Sequence, residues 1–249
     1  MESTQKSSIG DLVTAVDVTV QEHLVRELGR LLPGSDSLGE ESGLDDTRGH
    51  LLWIIDPVDG TTNLVHGLPH CGIAVGLYDS GEPVLGVVQN PFSRITYYAE
   101  AGRGSFERSC ENPRSDRRLR VSDVRTLDSA LSSFGLSYDR SHADSLFRVV
   151  AAVFERSQDL RRSGSAALDL VAVARGNLDL HIEPLSRPWD IAASSIILHE
   201  AGGVVTDWDG HEISWLERLG GSQVLASNRW LHEELIDVVQ SATTLASRS

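Results

Sequence analysis

Two carboxylates three residues apart, Asp56 and Asp59, open the chemistry of this chain. They stand in the segment Trp53-Ile54-Ile55-Asp56-Pro57-Val58-Asp59-Gly60-Thr61-Thr62-Asn63. The apolar run 51–55 is short enough to be a buried strand. Such a strand delivers Asp56 to its carboxyl end. Pro57 is expected to stop the ladder and fix φ, and a tight turn then lets Asp59 converge on the same point. Gly60 permits positive φ or close backbone approach. Thr61 and Thr62 suit a helix start, whose free N–H groups attract an anion. One short loop thus offers hard oxygen ligands for a cation and donors for a phosphate. The plainer reading stands beside it: Asp-Pro and Asp-Gly are ordinary turn chemistry.

Periodicity gives the elements that must hold this loop. Residues 14–32 read as an amphipathic helix, with Val20, Leu24 and Leu28 on one side and Glu22, Arg26 and Glu27 on the other. Pro33-Gly34 ends it. Residues 34–50 read as a polar, acidic loop containing Gly39-Glu40-Glu41-Ser42. Strands are expected at 72–78, 84–89 and 95–100, separated by turn residues such as Asp79-Ser80-Gly81 and Asn90-Pro91. The most polar stretch, 111–118, marks a soft boundary. Beyond it, helical patterns at 142–157, 164–176, 188–201 and 229–240 interleave with apolar runs at 178–182, 203–206 and 223–226. The expected organisation is an N-terminal α+β half, 1–120, and a C-terminal α/β half, 121–249.

Composition narrows the setting. The chain has 249 residues, 40% hydrophobic and 23% charged, which fits a globular protein rather than a disordered or fibrous one. It has no apolar stretch of about 18 residues, so a membrane span is excluded. Residues 1–10 lack the apolar core of a signal peptide. Cys71 and Cys110 are the only cysteines, too few for a disulfide framework, so a reducing cytoplasmic setting is the default. Basic residues number 22 against 36 acidic ones, for a net charge of −14. A field of that sign repels nucleic acid and anionic membranes. It also repels phosphate esters unless cations intervene.

Four blocks together carry a resemblance. They are Asp11-Leu12-Val13-Thr14-Ala15-Val16-Asp17, Gly39-Glu40-Glu41-Ser42, the run from Trp53 to Asn63, and Trp189-Asp190 leading to Glu200-Ala201-Gly202-Gly203. In this order they resemble the inositol monophosphatase family of magnesium-dependent, lithium-sensitive phosphatases. The resemblance implies a layered αβαβα sandwich and hydrolysis of a small phosphate monoester. It implies metal ligation by Glu40, by Asp56 bridging two ions, by the Val58 carbonyl, and by Asp59 and Asp190. Asp17 and Thr61 match a dyad that orients the attacking water. The Gly60 and Thr61 amides match phosphate contacts, and Glu183 matches a glutamate that meets inositol hydroxyls. Gly164, Ser165 and Ala166 lie where the family places a substrate-lining helix start. A homodimer is the assembly it implies.

The donor chemistry agrees. Glu40, Asp56, Asp59 and Asp190 packed together would repel one another and have raised pKa values without a counter-ion. All-oxygen ligands select hard ions, and Mg²⁺ is the abundant choice, with two or three ions implied and Mn²⁺ as a substitute. Two ions ~3.5–4 Å apart can clamp the attacking and leaving oxygens of an in-line displacement.

Taken without the resemblance, these residues have duller readings. Asp17 can stabilise the dipole of the first helix, Asp190 can sit in the first turn of 188–201, and Glu183 can belong to a surface loop. Glu41 reads as a solvated neighbour of Glu40, or as a group that supports the ligands from behind, rather than as a ligand. His66, His70 and His181 have no ligand spacing and read as loop or packing histidines. Cys71 reads as a small buried hydrophobe. Asp45-Asp46 and Arg161-Arg162 read as solvated, with Arg162 near the substrate-lining loop, and Asp207 and Asp209 as a turn between strands.

One departure from the family pattern concerns the N-terminus. Only ten residues precede Asp11, where family members carry a longer helix. Its absence is expected to affect packing and the oligomer interface. Lys6-Ser7-Ser8 resembles the end of the family's mobile loop. Thr62-Asn63 and Glu183 favour an inositol-type substrate over relatives with a lysine after the first Thr. Histidinol phosphate, fructose 1,6-bisphosphate, NADP(H), 3′-phosphonucleotides or a secondary-metabolite cyclitol phosphate are the rival substrates. A non-catalytic binding protein on the same fold is the rival from another class.

Overall fold

A computed structural model describes residues 3–5, 12–44, 50–137, 139–215 and 218–246. The readings placed on Asp11, Lys6-Ser7-Ser8 and Asp45-Asp46 lie outside the described residues. The first elements are β1 Ser3–Gln5, β2 Leu12–Thr14, α1 Ala15–Leu31, β3 Asp36–Gly39, β4 Gly43–Leu44, β5 Leu51–Asp59 and α2 Thr61–Val65. Next come β6 Gly72–Asp79, β7 Glu82–Asn90, β8 Ile95–Glu100, β9 Gly104–Ser109 and β10 Asp116–Arg118. The remainder are β11 Leu131–Phe134, α3 Ala143–Phe154, β12 Asp159–Arg161, α4 Ala166–Ala174, β13 Leu180–Ser186, α5 Pro188–Glu200, β14 Val204–Thr206, β15 Ser222–Ser227 and α6 His232–Ala246.

The described strands form two large sheets. The first has the order β10-β9-β8-β7-β6-β5-β3-β4, and the second β12-β11-β13-β15-β14. Three apolar clusters fix the layers. Leu24, Val25 and Leu28 of α1 pack on Trp53, Ile55, Val75 and Leu77, one face of the first sheet. The other face, with Leu52, Ile54, Ala74 and Val88, meets α4 and α5 through Leu170, Val171, Ile191 and Ile197. Beyond those helices lies the second sheet. Its Leu180, Ile182 and Leu225 pack on Val149 and Val153 of α3 and on Leu235, Val238 and Val239 of α6. The result is the αβαβα sandwich the resemblance implies. Alternate residues of β5 serve opposite faces, as a pleated strand requires.

The first sheet departs from the sequence expectations in three places that matter. Residues 34–50 are not simply a loop: β3 pairs parallel with β5, Gly39 opposite Ile55. That pairing carries Glu40 alongside Asp56. Pro57 does not end β5, because the ladder shifts register between Asp56 and Asp59 and resumes with Asp59 opposite Gly72. An irregularity at this point tolerates a residue with no N–H. β9 and β10, neither of them expected, extend the sheet, β10 within the stretch read as polar: Asp116–Arg118 is exposed, and an exposed edge strand shows no apolar alternation. In the second sheet β11 and β12 also escaped the periodicity reading. β11 is Leu-Ser-Ser-Phe with Ser132 and Ser133 buried, which breaks the hydrophobic signal.

Candidate active site

A cleft of about 1030 Å³ opens where the two sheets' strand ends meet the N-termini of α4 and α5. Its walls include Glu40, Asp56, Val58, Asp59, Gly60, Thr61, Gly164, Ser165, Ala166, Glu183 and Asp190. Asp17 sits immediately behind Thr61. Every site residue read from the sequence is therefore at this cleft or bonded to its wall.

The loop after β5 is shaped by Gly60, whose φ is +94°. A Cβ there would lie 3.0 Å from the His70 carbonyl and 3.1 Å from the Gly164 carbonyl, so the position needs glycine for both conformation and space. Asn63 ties this turn to the opposite wall, donating to the Ser163 carbonyl at 2.9 Å and the His70 carbonyl at 2.8 Å.

Asp17 is fully buried at the start of α1. Its Oδ2 accepts from the Thr14 amide at 2.9 Å and from the Thr14 hydroxyl, while Oδ1 accepts from Thr61 Oγ1 at 2.9 Å. Asp17 is thus both the N3 partner of the N-cap residue Thr14 in the capping box of α1 and the anchor of Thr61. Thr61 Oγ1 also lies 3.0 Å from the Val58 carbonyl, so one hydroxyl proton is shared between two acceptors. Thr61→Val would leave Asp17 Oδ1 without its partner. It should lower kcat about a hundredfold and stability by about 1–3 kcal/mol; steady-state kinetics and a thermal melt check both.

Asp59 caps α4. Its Oδ2 accepts from the Ser165 hydroxyl and the Ala167 amide, and Oδ1 from the Ala166 amide at 3.2 Å. Burial pushes its carboxyl up to about 7, against the lowering by Ser165 and Ala167. Asp56 is raised well above the usual range by burial, then by Glu40, Asp59 and Asp190. Asp190, half-buried in the cleft wall, is raised by its enclosure and then by Glu40. Each of these two uses one oxygen in a backbone hydrogen bond: Asp56 Oδ1 accepts from Val58, and Asp190 Oδ2 from Arg187. Lone pairs remain on all three carboxylates. A cluster of acids that all resist ionisation is what a divalent cation relieves. The donor set therefore fits a hard metal ion, although no three of these groups bring ligand oxygens within 4.8 Å of one another. The hydrogen bonds to Ser165, Ala166 and Ala167 hold Asp59 against α4. Asp207, Asp209 and His211 do approach that closely. Asp207 there accepts from the amides of Asp209 and His211 and pairs with Arg218, consistent with the turn read from the sequence.

Sequence reasoning missed several contributors. Gln21 of α1 is buried and shapes the Glu40 loop, accepting from the Glu41 amide at 2.9 Å and donating to Ser42 Oγ at 3.0 Å. Asp169 lines the cleft and lies 3.4 Å from His70 Nε2. His181, read as a packing histidine, is fully buried beside Glu183, its Nε2 3.0 Å from Glu183 Oε2. Arg162, read as solvated, lines the cleft with Arg140. Helical periodicity gave Gln21 no role and nothing in the spacing marked Asp169 or His181; for Arg162 the one signal was its nearness in sequence to the substrate-lining residues Gly164, Ser165 and Ala166. Cys71 is buried as read, and burial pushes its thiol up to about 11.

Comparison with known proteins completes the picture. A family model described as the inositol monophosphatase family matches residues 1–244. Fold and family together define a phosphatase, a hydrolase of phosphate esters. The chain belongs to the inositol monophosphatase family. It is 36% identical over 235 residues to a Thermotoga maritima protein named fructose-1,6-bisphosphatase/inositol-1-monophosphatase, covering 94% of this chain and 85% of that one. It is 34% identical over 241 residues to the Nus factor SuhB of Xylella fastidiosa, covering 96% and 84%. The solved structure of a Thermotoga maritima IMPase superposes with a TM-score of 0.86 at 34% identity, covering 98% of this chain and 89% of that one. Among the described residues, no helix is long and apolar enough to cross a membrane.

Proposed function

We propose that this protein hydrolyses the phosphate monoester of a small polyol, inositol monophosphate first among them, using Mg²⁺. The observation that carries this is the placement of the Asp17–Thr61 link, 2.9 Å, beside carboxylates whose ionisation is opposed by burial and mutual repulsion. Glu40, Asp56, Asp59, Asp190 and the Val58 carbonyl would hold the ions. Bound there, two or three Mg²⁺, or Mn²⁺ in their place, would supply Lewis-acid polarisation of water and phosphate and offset the acidic field.

The chain's own groups then have defined tasks. Asp17 fixes the Thr61 hydroxyl as a donor toward itself. The Thr61 oxygen lone pairs then accept from a water and hold it for attack on phosphorus. Gly60 and Thr61 turn backbone amides toward the phosphate. Glu183 accepts from hydroxyls of the alcohol, and Gly164, Ser165 and Ala166 form the adjacent wall. The P–O bond to the alcohol breaks as the water oxygen adds, and the alcohol leaves with a proton. The same reading carries a lithium-sensitive homodimer in a reducing cytoplasm.

A second substrate reading has its own support. Arg162 and Arg140 lie on the cleft wall, with Arg162 Nη1 only 2.8 Å from where a Cβ of Gly164 would stand. Two cations there favour an ester bearing a second anionic group, such as fructose 1,6-bisphosphate, the substrate for which the Thermotoga maritima relative is named. Phosphate release from inositol 1-phosphate, fructose 1,6-bisphosphate, histidinol phosphate, NADP(H) and a 3′-phosphonucleotide, with Mg²⁺ and with added Li⁺, separates these. Inositol 1-phosphate is expected to show the highest kcat/KM, inhibited by Li⁺. No turnover on any ester, with ion binding retained, would instead mark a binding protein on this fold.

A further inference from the structure

β13 alternates its side chains between two layers. Leu180 and Ile182 enter the core beneath α3 and α6, so His181 and Glu183 share the opposite face, toward α4 and the cleft. Glu183 lines the cleft, and His181 lies fully buried behind it. An apolar residue would fill that place without the desolvation of an imidazole.

The contacts of His181 supply a reason for it. Nδ1 is 2.8 Å from Ser133 Oγ, on the strand residue paired with it in β11. Asp169 Oδ2 is 3.8 Å from the same nitrogen. Nε2 is 3.0 Å from Glu183 Oε2. A carboxylate can only accept, so Nε2 carries the proton and donates it there. Backbone also lies tight against the Glu183 carboxylate. Gly135 donates its amide to the Ile182 carbonyl at 2.9 Å, and a Cβ on Gly135 would collide with the Glu183 carboxylate. The carboxylate is therefore held by a buried donor and packed against a glycine. Oε1 accepts no hydrogen bond among the described residues.

We propose that His181 is a positioning residue which, with Gly135, fixes the Glu183 carboxylate so that its free oxygen accepts from a substrate hydroxyl. This arrangement sets the preference for polyol phosphates over esters that have no hydroxyl beside the phosphate. The inference rests on the phosphomonoesterase reading of the cleft and adds the device that tunes its selectivity. His181 touches neither substrate nor phosphate and acts only through Glu183.

The test is a ratio: kcat/KM for inositol 1-phosphate divided by kcat/KM for p-nitrophenyl phosphate, both measured with Mg²⁺ on one preparation of full-length protein. The ratio cancels any loss of folded or ion-loaded enzyme, which a merely structural role would produce. His181→Leu should lower it about tenfold, the worth of one hydrogen bond to a charged group. Gly135→Ala, whose Cβ would collide with the carboxylate and displace it, should lower it similarly. It keeps the test alive if His181→Leu does not fold. His181→Gln, whose side-chain amide can still donate, should stay within about threefold of the parent. Ratios within about threefold of the parent in both His181→Leu and Gly135→Ala would overturn the inference. So would a loss in His181→Gln as large as that in His181→Leu, because ring volume would then be the operative property. A parent enzyme that hydrolyses both esters with no preference would remove the role of Glu183 itself. A parent that hydrolyses neither would remove the catalytic reading beneath it.

Discussion

Asp59→Asn is expected to lower kcat at saturating Mg²⁺ by at least about a thousandfold, with the melting temperature moving by only a few degrees. The catalytic loss follows from charge. Asp59 is buried in the cleft between the end of β5 and the start of α4, and Asn keeps its shape but offers no anion to a cation. Electrostatic groups aimed at a reacting centre are each worth about a hundred- to a thousandfold, and a lost ligand disturbs the neighbouring ones too. The fold should survive because Asn keeps most of the hydrogen bonds that Asp59 accepts. With its amide oxygen in the Oδ2 position, Asn can still accept from the Ser165 hydroxyl and the Ala167 amide, and the bond given up is the longer one, 3.2 Å, from the Ala166 amide. Burial already pushes the parent carboxyl up to about 7, so removing its charge relieves as much as it disrupts in ion-free protein. Turnover within tenfold of the parent, measured as phosphate release with Mg²⁺, would remove Asp59 from the catalytic machinery.

The second large effect concerns stability. Protein in Mg²⁺ at a hundredfold excess over Kd should melt about 5–10 °C above protein in chelator at pH 7.5. The linkage amounts to about 2.7 kcal/mol, and a chain of this size shifts by about 2–4 °C per kcal/mol. The pH dependence has a definite sign. Asp56, Asp59 and Asp190 have folded-state pKa values above their ordinary 3.8. The folded state thus binds protons more tightly than the unfolded chain. The stability linked to these groups is complete below pH 3.8 and is lost as pH rises toward about 7, the value reached by Asp59. In chelator these groups should therefore lower the melting temperature progressively between about pH 4 and 7, and Mg²⁺ should flatten the decline. Asp56→Asn in chelator at pH 7.5 should melt no lower than the parent, since it removes a buried charge that lacks a counter-ion. A parent that melts identically with and without Mg²⁺ across this range would contradict the reading of the acids as a cation site.

The chemistry-bearing loop was legible because its signals are local. Gly60 with φ +94° and the αL turn before α2 follow from residue types at fixed spacing. Helices α1, α4 and α5 followed from apolar periodicity, within a few residues of their observed ends. What stayed hidden depends on pairing across the chain. β3 is a strand because β5 lies beside it, not because Asp36-Ser37-Leu38-Gly39 favours extension. β11 buries two serines whose neighbours become visible only once β13 is placed. The same limit applied to the site. Gln21 carried no signal of its own in the α1 pattern, yet it organises the loop that carries Glu40. His181 looked like packing until Glu183, two residues on along the same strand face, was seen to accept from it. Polar residues that serve other polar residues leave no periodic trace.

Metal-assisted hydrolysis at this site requires that carboxylates distant in sequence share divalent ions in one cleft. Calorimetric titration of Mg²⁺ and Mn²⁺ into the metal-free protein at pH 7.5 tests it most directly, with Asp56→Asn and Asp190→Asn titrated alongside. At least two ions per chain should bind to the parent, with one or more sites lost in each variant. A well-folded parent that takes up neither ion, or variants that bind as many ions with unchanged affinity, would contradict it.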